Sequence, residues 1–150
     1  MKFYLLIFIL ITLSVDLYSQ EIKLKTGFYR VVEQDSCKGT DGYTIINNSG
    51  TEYCISNNPI ITEANFKSVD IKADTTESGI TYSVGIKLDS AGTLIIKKVT
   101  GKMIGQKAAF IINNEIIAAP TVRDQISSGH IAVFCDEETI EKVKAALKSY

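Results

Sequence analysis

The stretch from Lys107 to Phe134 constrains the fold more than any other, because apolar runs, turn residues and a strand stop follow one another there. Ala108-Ala109-Phe110-Ile111-Ile112 and Ile116-Ile117-Ala118-Ala119 are short apolar runs separated by Asn113-Asn114-Glu115. Asn tolerates the positive φ of a tight turn, so the two runs are expected to form a hairpin. Both are continuously apolar rather than alternating, which suits strands covered on both faces. Pro120 removes a donor and ends the second strand. Ser127-Ser128-Gly129 then makes a turn, and His130-Ile131-Ala132-Val133-Phe134 reads as a third strand.

With 150 residues the chain has room for one modest core, even after loss of a leader. Lys and Arg number 16 against 17 for Asp and Glu, and the charges are dispersed, so no basic stripe gathers phosphates and nucleic acid is not an expected partner. The N-terminus bears on compartment. Lys2 supplies a positive start, Phe3 to Leu13 is an almost unbroken apolar run, and Ser14 to Gln20 is more polar. A signal peptide over residues 1–19 is expected, cut after Ser19, although Leu17 is larger than the small residue preferred two places before the cut. The alternative, a membrane anchor, needs roughly 20 apolar residues and the run is shorter. No stable membrane insertion is expected after the leader is removed, and the mature chain is placed in the periplasm or outside the cell.

That compartment bears on the three cysteines. Cys37 and Cys54 flank a candidate hairpin, while Cys135 ends the last strand, so in an oxidising space Cys37–Cys54 is the favoured disulfide. Closing such a loop without strain stabilises by about 3 kcal/mol in the chain-entropy model. Zinc is the alternative, but one His and no Cys-x-x-Cys leave too few ligands, and neither metal nor cofactor is expected.

Taken in order, 20–65 reads as strands and loops and 66–150 as the core of a single domain. Gly27 to Glu33 is a strand. Asp35 to Gly42 looks superficially like a calcium loop but lacks the ligand series and closing Glu, so a polar loop is expected. Tyr43–Ile46 and Glu52–Ile55 pair around Asn47-Asn48-Ser49-Gly50, and Asn47-Asn48-Ser49 also fits the N-glycosylation pattern. Asn57-Asn58-Pro59 is expected to close this part, with Ile60 to Asn65 either a loop or one helical turn. Phe66, Val69 and Ile71, then Ile80, Tyr82, Val84, Ile86 and Leu88, describe two strands about a polar turn from Asp74 to Gly79. Asp89 or Ser90 caps a helix whose buried stripe is expected to be Ala91, Leu94, Ile95 and Val99, with Lys97, Lys98 and Lys102 in solvent. Asp136 caps a second helix, with Glu137 and Glu138 near its positive end and Ile140, Val143 and Leu147 as its stripe. From Ile80 the order is strand, helix, three strands, helix. The fold class is α+β, an antiparallel-rich mixed sheet with two amphipathic helices packed on one face, in which the first helix makes a right-handed crossover.

These residues resemble the head subdomain of the large periplasmic domain of SecD, or of fused SecDF, from the bacterial protein-export machinery. The resemblance covers most of the mature chain and is strongest from Ile80 to Leu147. It rests on Leu88-Asp89-Ser90-Ala91-Gly92, Gly105-Gln106-Lys107-Ala108-Ala109-Phe110-Ile111-Ile112, Ile117-Ala118-Ala119-Pro120-Thr121-Val122, Gln125-Ile126-Ser127-Ser128-Gly129-His130-Ile131 and the closing Glu137-Glu138-Thr139-Ile140. Family members usually carry Asp-Gly-Lys at the hairpin turn, where this chain has Asn113-Asn114-Glu115, and a more glycine-rich turn at Ser127-Ser128-Gly129. SecD also carries transmembrane helices, and nothing after the leader here could span a membrane, so the expectation is a free-standing secreted head module. The resemblance implies a binding role in handling an emerging preprotein and no covalent chemistry.

The expected function is therefore a non-enzymatic module that engages an extended polypeptide or a partner protein, an extended segment pairing with a sheet edge. A structural or assembly component of a cell-surface system is the alternative. A small secreted hydrolase is disfavoured. His130 is the sole His, and at 3.3 Å per residue Cys135 lies roughly 16 Å from it along one strand, too far for a hydrogen bond. Asp35 with Asp41 or Glu52 could pair as carboxylates, but acids in polar loops are ordinarily just solvated. Because the strands are most simply core, the candidate binding residues are the polar rims: Asn113, Asn114 and Glu115 at one turn, and Arg123, Asp124, Gln125 and Ser128 at the other.

Overall fold

Asn113 and Asn114 take φ values of 49° and 66°, and the strands on either side pair down to Ile112 opposite Glu115. The hairpin therefore turns on two residues, with Glu115 already in the second strand, because two consecutive positive φ values match the twist of the flanking strands. The computed structural model describes residues 23–38, 42–76, 79–148 and 150. The expected leader and its cut lie outside these residues, as do Gly39, Thr40 and Asp41 of the polar loop and Glu77 and Ser78 of the later turn.

In chain order the elements are β1 (Gly27–Val32), β2 (Gly42–Ile46), β3 (Glu52–Thr62), β4 (Phe66–Thr76), β5 (Gly79–Leu88), α1 (Ser90–Thr100), β6 (Ala108–Ile112), β7 (Glu115–Ala118), β8 (His130–Cys135) and α2 (Glu137–Ala146). Short 3₁₀ turns cover Gln34–Lys38 and Glu63–Asn65. The α+β class is as expected, and its arrangement is two antiparallel sheets where one mixed sheet was expected, in the orders β2-β3-β1-β6-β7 and β4-β5-β8. The α1 crossover carries the chain from one sheet to the other, so no parallel pair forms. The burial patterns give the reason. All five residues of β6 are buried, so it needs cover on both faces, whereas β8 alternates exposed and buried and suits a sheet with one wet face.

The five-stranded sheet is covered on both sides. On one face Phe28 of β1 stacks on Phe110 of β6, with ring centroids 4.7 Å apart, and joins Ile61, Ile112, Val84, Ile86 and Val133 in the main core. On the other face Tyr29, Ile55, Ala109, Ile111 and Ile116 form a second cluster. The outermost strands β2 and β7 come into contact with one another, so the sheet curls around that cluster. β1 sits at the centre of this sheet, so Phe28, Tyr29, Ile55 and Ile61 from the chain before Phe66 join a core supplied mostly by residues from Phe66 onward.

β3 runs to Thr62, straight through the Asn57-Asn58-Pro59 expected to end the segment. Pro59 is opposite Tyr29 where the register with β1 slips, and a bulge tolerates a residue without an N–H. Cys37 and Cys54 are joined, with Cα atoms 5.8 Å apart, and tie the first 3₁₀ turn to β3. At Asn47, the side-chain oxygen accepts from Thr51 N at 2.7 Å and from Ser49 Oγ at 2.9 Å, which closes the β2–β3 turn.

Both helices begin as the sequence implies. Asp89 Oδ1 accepts from Gly92 N at 2.6 Å, and Asp136 Oδ1 from Thr139 N at 2.9 Å. Hydrogen bonds from the Thr139 side chain and backbone hold the Asp136 carboxyl below its ordinary range. α2 buries Ile140 and Val143, with Leu147 just beyond its end, as expected. α1 does not follow the expected stripe. It buries Gly92, Ile96 and Thr100 and leaves Leu94 70% and Ile95 40% exposed. Gly92 decides the rotation, since a Cβ there would come within 2.9 Å of Asn65 Cβ, so the helix approaches along its small residues. Truncating Ile96 to Ala should cost about 2–5 kcal/mol, and Leu94 to Ala about 0.5 kcal/mol or less, read from denaturant unfolding midpoints.

Candidate functional site

After β7 the chain is pinned at several points before it reaches β8. Ala108 N donates to Pro120 O at 3.0 Å, Val122 N to Gln106 O and Gly105 N to Val122 O, each at 2.8 Å. Further on, Gln125 Nε2 donates to Lys97 O at 3.1 Å and Ile126 N to Thr100 Oγ1 at 3.0 Å. The buried Thr100 hydroxyl donates in turn to Ile96 O at 2.7 Å, so it both gives and accepts. Asp124 Oδ1 takes the Gln125 N–H at 2.7 Å. The polar connection is thus laid along the C-terminal end of α1 and fixed there. Gly129, at φ 69° and pressed against Thr93, turns it into β8 where a side chain would collide.

Between this connection and the sheets lies a cleft of about 360 Å³. Its apolar lining includes Phe28, Ile96, Ala108, Ile126, Ile131 and Ala132, with Arg123, Asp124 and His130 contributing polar groups. One wall is the first half of β8, the last strand of its sheet. Leu88 N donates to Gly129 O at 2.8 Å on the β8 side of β5, and antiparallel pairs alternate between facing in and facing out. Ile131 therefore bonds to β5, while the backbone groups of Ala132 point outward from the sheet at the cleft. His130 is exposed, with Nδ1 3.1 Å from Ser128 O, and its N–H meets Ser128 Oγ at 3.3 Å.

The structure gathers only part of the expected rim. Arg123 and Asp124 line the cleft, and Gln125 and Ser128 hold its connection in place. Asn113, Asn114 and Glu115 do not line it. Asn114 Oδ1 accepts from Leu24 N at 2.7 Å, and Glu115 Oε2 accepts from Lys142 Nζ at 2.6 Å, an ion pair that holds the Lys142 ammonium above its usual range. That turn anchors the N-terminal segment and α2. The cleft-lining Phe28 and Ala108 read from sequence as strand residues of the core. The available signal was Val122 and Ile126, two apolar residues placed within an otherwise polar connection.

Among the described residues no group of three or more His, Cys, Asp or Glu side chains is placed to hold a metal ion, and no helix is long and apolar enough to cross a membrane. Cys135 is a buried free thiol at the far end of β8 from His130. Burial, and then the neighbouring Asp136 carboxylate, push its thiol above the usual range. Its alkylation by iodoacetamide at about pH 8 should be at least about tenfold slower in the folded protein than in urea, since the thiolate is the reacting form.

Fold and cleft together define a two-sheet α+β module with an apolar cleft beside a strand edge that no other described strand pairs with. The sequence family described as SecDF, P1 head subdomain, matches residues 38–149, and the chain belongs to that family. Two solved structures share the fold. One, described as the structure and function of a membrane component SecDF that enhances protein export, aligns with TM-score 0.55 and 18% identity over 82% of this chain and 61% of that one. The other, a crystal structure of SecDF in super-membrane-facing form, aligns with TM-score 0.56 and 19% identity over 81% of this chain and 18% of that one. The chain therefore spans less than two thirds of the length of either. Among curated proteins none matches it.

Proposed function

We propose that this protein is a non-enzymatic binding module outside the cytoplasm, which takes an extended polypeptide into the cleft between β8 and the connection from Pro120 to Ile126. The observation that carries this reading is the union of two features in one place. A strand edge with outward backbone groups at Ala132 forms the wall of an apolar cleft of about 360 Å³. An extended segment added to an edge gains main-chain hydrogen bonds, and its alternate side chains are read by whatever pocket lies beside that edge. Here Phe28, Ile96, Ala108 and Ile126 would receive an apolar side chain, and Arg123 and Asp124 would meet its neighbours at the rim. Gln125 and Ser128 act as positioning residues. Kinship supports the reading, since one structural relative is described as enhancing protein export. The Cys37–Cys54 disulfide suits an oxidising compartment.

The test uses fluorescent peptides of about seven residues carrying a central Leu or Phe, extended and without Pro, in anisotropy titrations. Ala132→Pro deletes one outward N–H on an edge strand, a position where Pro is tolerated, and should weaken binding about tenfold while the fold persists by circular dichroism. Polar-centred peptides should bind less tightly than apolar ones. If no extended peptide binds and a pull-down recovers one fixed folded partner, the reading gives way to an assembly component.

A further inference from the structure

We propose that β4 pairs antiparallel with β4 of a second copy of this chain, about a two-fold axis at Ile71, so that the two three-stranded sheets become one of six strands. β4 is an edge strand of eleven residues, far longer than β7 or β8, and no other described strand covers its outer side. A long edge is a template for another strand unless its side chains discourage pairing.

The orientation of its backbone follows from β5. Asp89 N donates to Asn65 O at 2.9 Å on the β4 side, and Leu88 N to Gly129 O at 2.8 Å on the β8 side. Carried down β5, that alternation turns Lys87, Gly85, Ser83 and Thr81 toward β4. Their partners Ser68, Asp70, Lys72 and Asp74 therefore bond to β5, and the N–H and C=O groups of Val69, Ile71 and Ala73 point outward. An axis at Ile71 bonds Ile71 to its copy and Val69 to Ala73 of the second copy in both directions.

Strand length and side chains together select that register. Ile71 is the midpoint of Phe66–Thr76, so it is the register that pairs the strand along its length. It sets Asp70 directly opposite Lys72 of the second copy, twice, and Ser68 opposite Asp74. Moving the axis to Asp70 would oppose Asp70 to itself. Moving it to Lys72 would oppose Lys72 to itself and Asp70 to Asp74. Like charges directly opposite disfavour pairing and opposite charges favour it. Within one copy Asp70 and Lys72 are only loosely joined, at 3.8 Å with both side chains mostly in solvent, and are available to the second copy. Asp70 leans over Gly85 on β5, where a Cβ would stand 2.6 Å from its Oδ1, and a change of side-chain rotamer brings its carboxylate to Lys72 of the second copy. On the opposite face Val69 and Ile71 are half-buried against the main core and end at open solvent, where a second copy would extend the apolar surface. A two-fold interface requires this kind of self-complementarity, and charges at an edge repel chains that lack it.

Sedimentation velocity of the full chain from about 1 to about 100 µM should show a concentration-dependent dimer. Lys72→Asp opposes acid to acid and should weaken dimerisation at least about tenfold, as should Ala73→Pro, which deletes an outward N–H. The double variant Asp70→Lys with Lys72→Asp restores opposite charges across the axis and should recover the dimer, a rescue that a merely misfolded single variant would not give. A wild-type chain that stays monomeric at about 100 µM, a dimer indifferent to Lys72→Asp and Ala73→Pro, or a double variant no better than Lys72→Asp would each overturn the proposal.

Discussion

Everything in this fold depends on β6 having no polar face. Ala108 to Ile112 are buried without exception, Phe110 and Ile112 toward the main core and Ala109 and Ile111 toward the second cluster. A strand of that kind cannot lie on a one-sided sheet without leaving about 1.5–3 kcal/mol per large apolar side chain in water. It must therefore be central and covered twice. The curl of the five-stranded sheet supplies one cover, and the helices with the three-stranded sheet supply the other. The division of the chain into two sheets is a consequence of meeting that demand.

The same demand produces the cleft. β6 is sheathed by β1 and β7, but past Val122, the last residue paired beside the start of β6, the chain has to cross the end of the main core to reach β8. It does so along α1, held by the Thr100 hydroxyl and by Gln125 on the Lys97 carbonyl. A loop tied to a helix cannot collapse onto the strands below, so space remains above Phe28 and Ala108. The cavity is thus a by-product of how the connection is anchored, by the part-buried bond to the Thr100 hydroxyl and the exposed one from Gln125.

Much of this was legible in the residues. The uninterrupted apolar run at Ala108–Ile112 announced double burial, the Asn pair announced the turn, Asp89 and Asp136 announced their helices, and Cys37 and Cys54 proved to be partners. What misled was reasoning that tertiary contacts overrule. Leu94 and Ile95 have the right spacing for a buried stripe, yet a close approach at Gly92 turns the helix so that Ile96 faces inward. Pro59 carries a stop signal that a bulge in β3 absorbs. Strand order is set by contacts across the sequence, and periodicity could not tell that β8 would return to β5 instead of joining the hairpin. The candidate site was half legible. Polar residues at Arg123 and Asp124 marked the rim, but nothing in a run of core-like residues distinguishes a wall of a cleft from a wall of the interior.

The disulfide has a mechanical meaning as well as a thermodynamic one. Cys37 and Cys54 are 17 residues apart in sequence, and the loop they close contains all of β2. Tension applied at the two ends of the chain passes through the sulfur bridge and bypasses that loop. About 60 Å of contour, at roughly 3.5 Å per extended residue, is thereby withheld from stretching. While the bridge is intact, β2 stays tethered to β3 however far the rest of the chain is drawn out, so a chain allowed to recoil begins again with one strand pair already in reach.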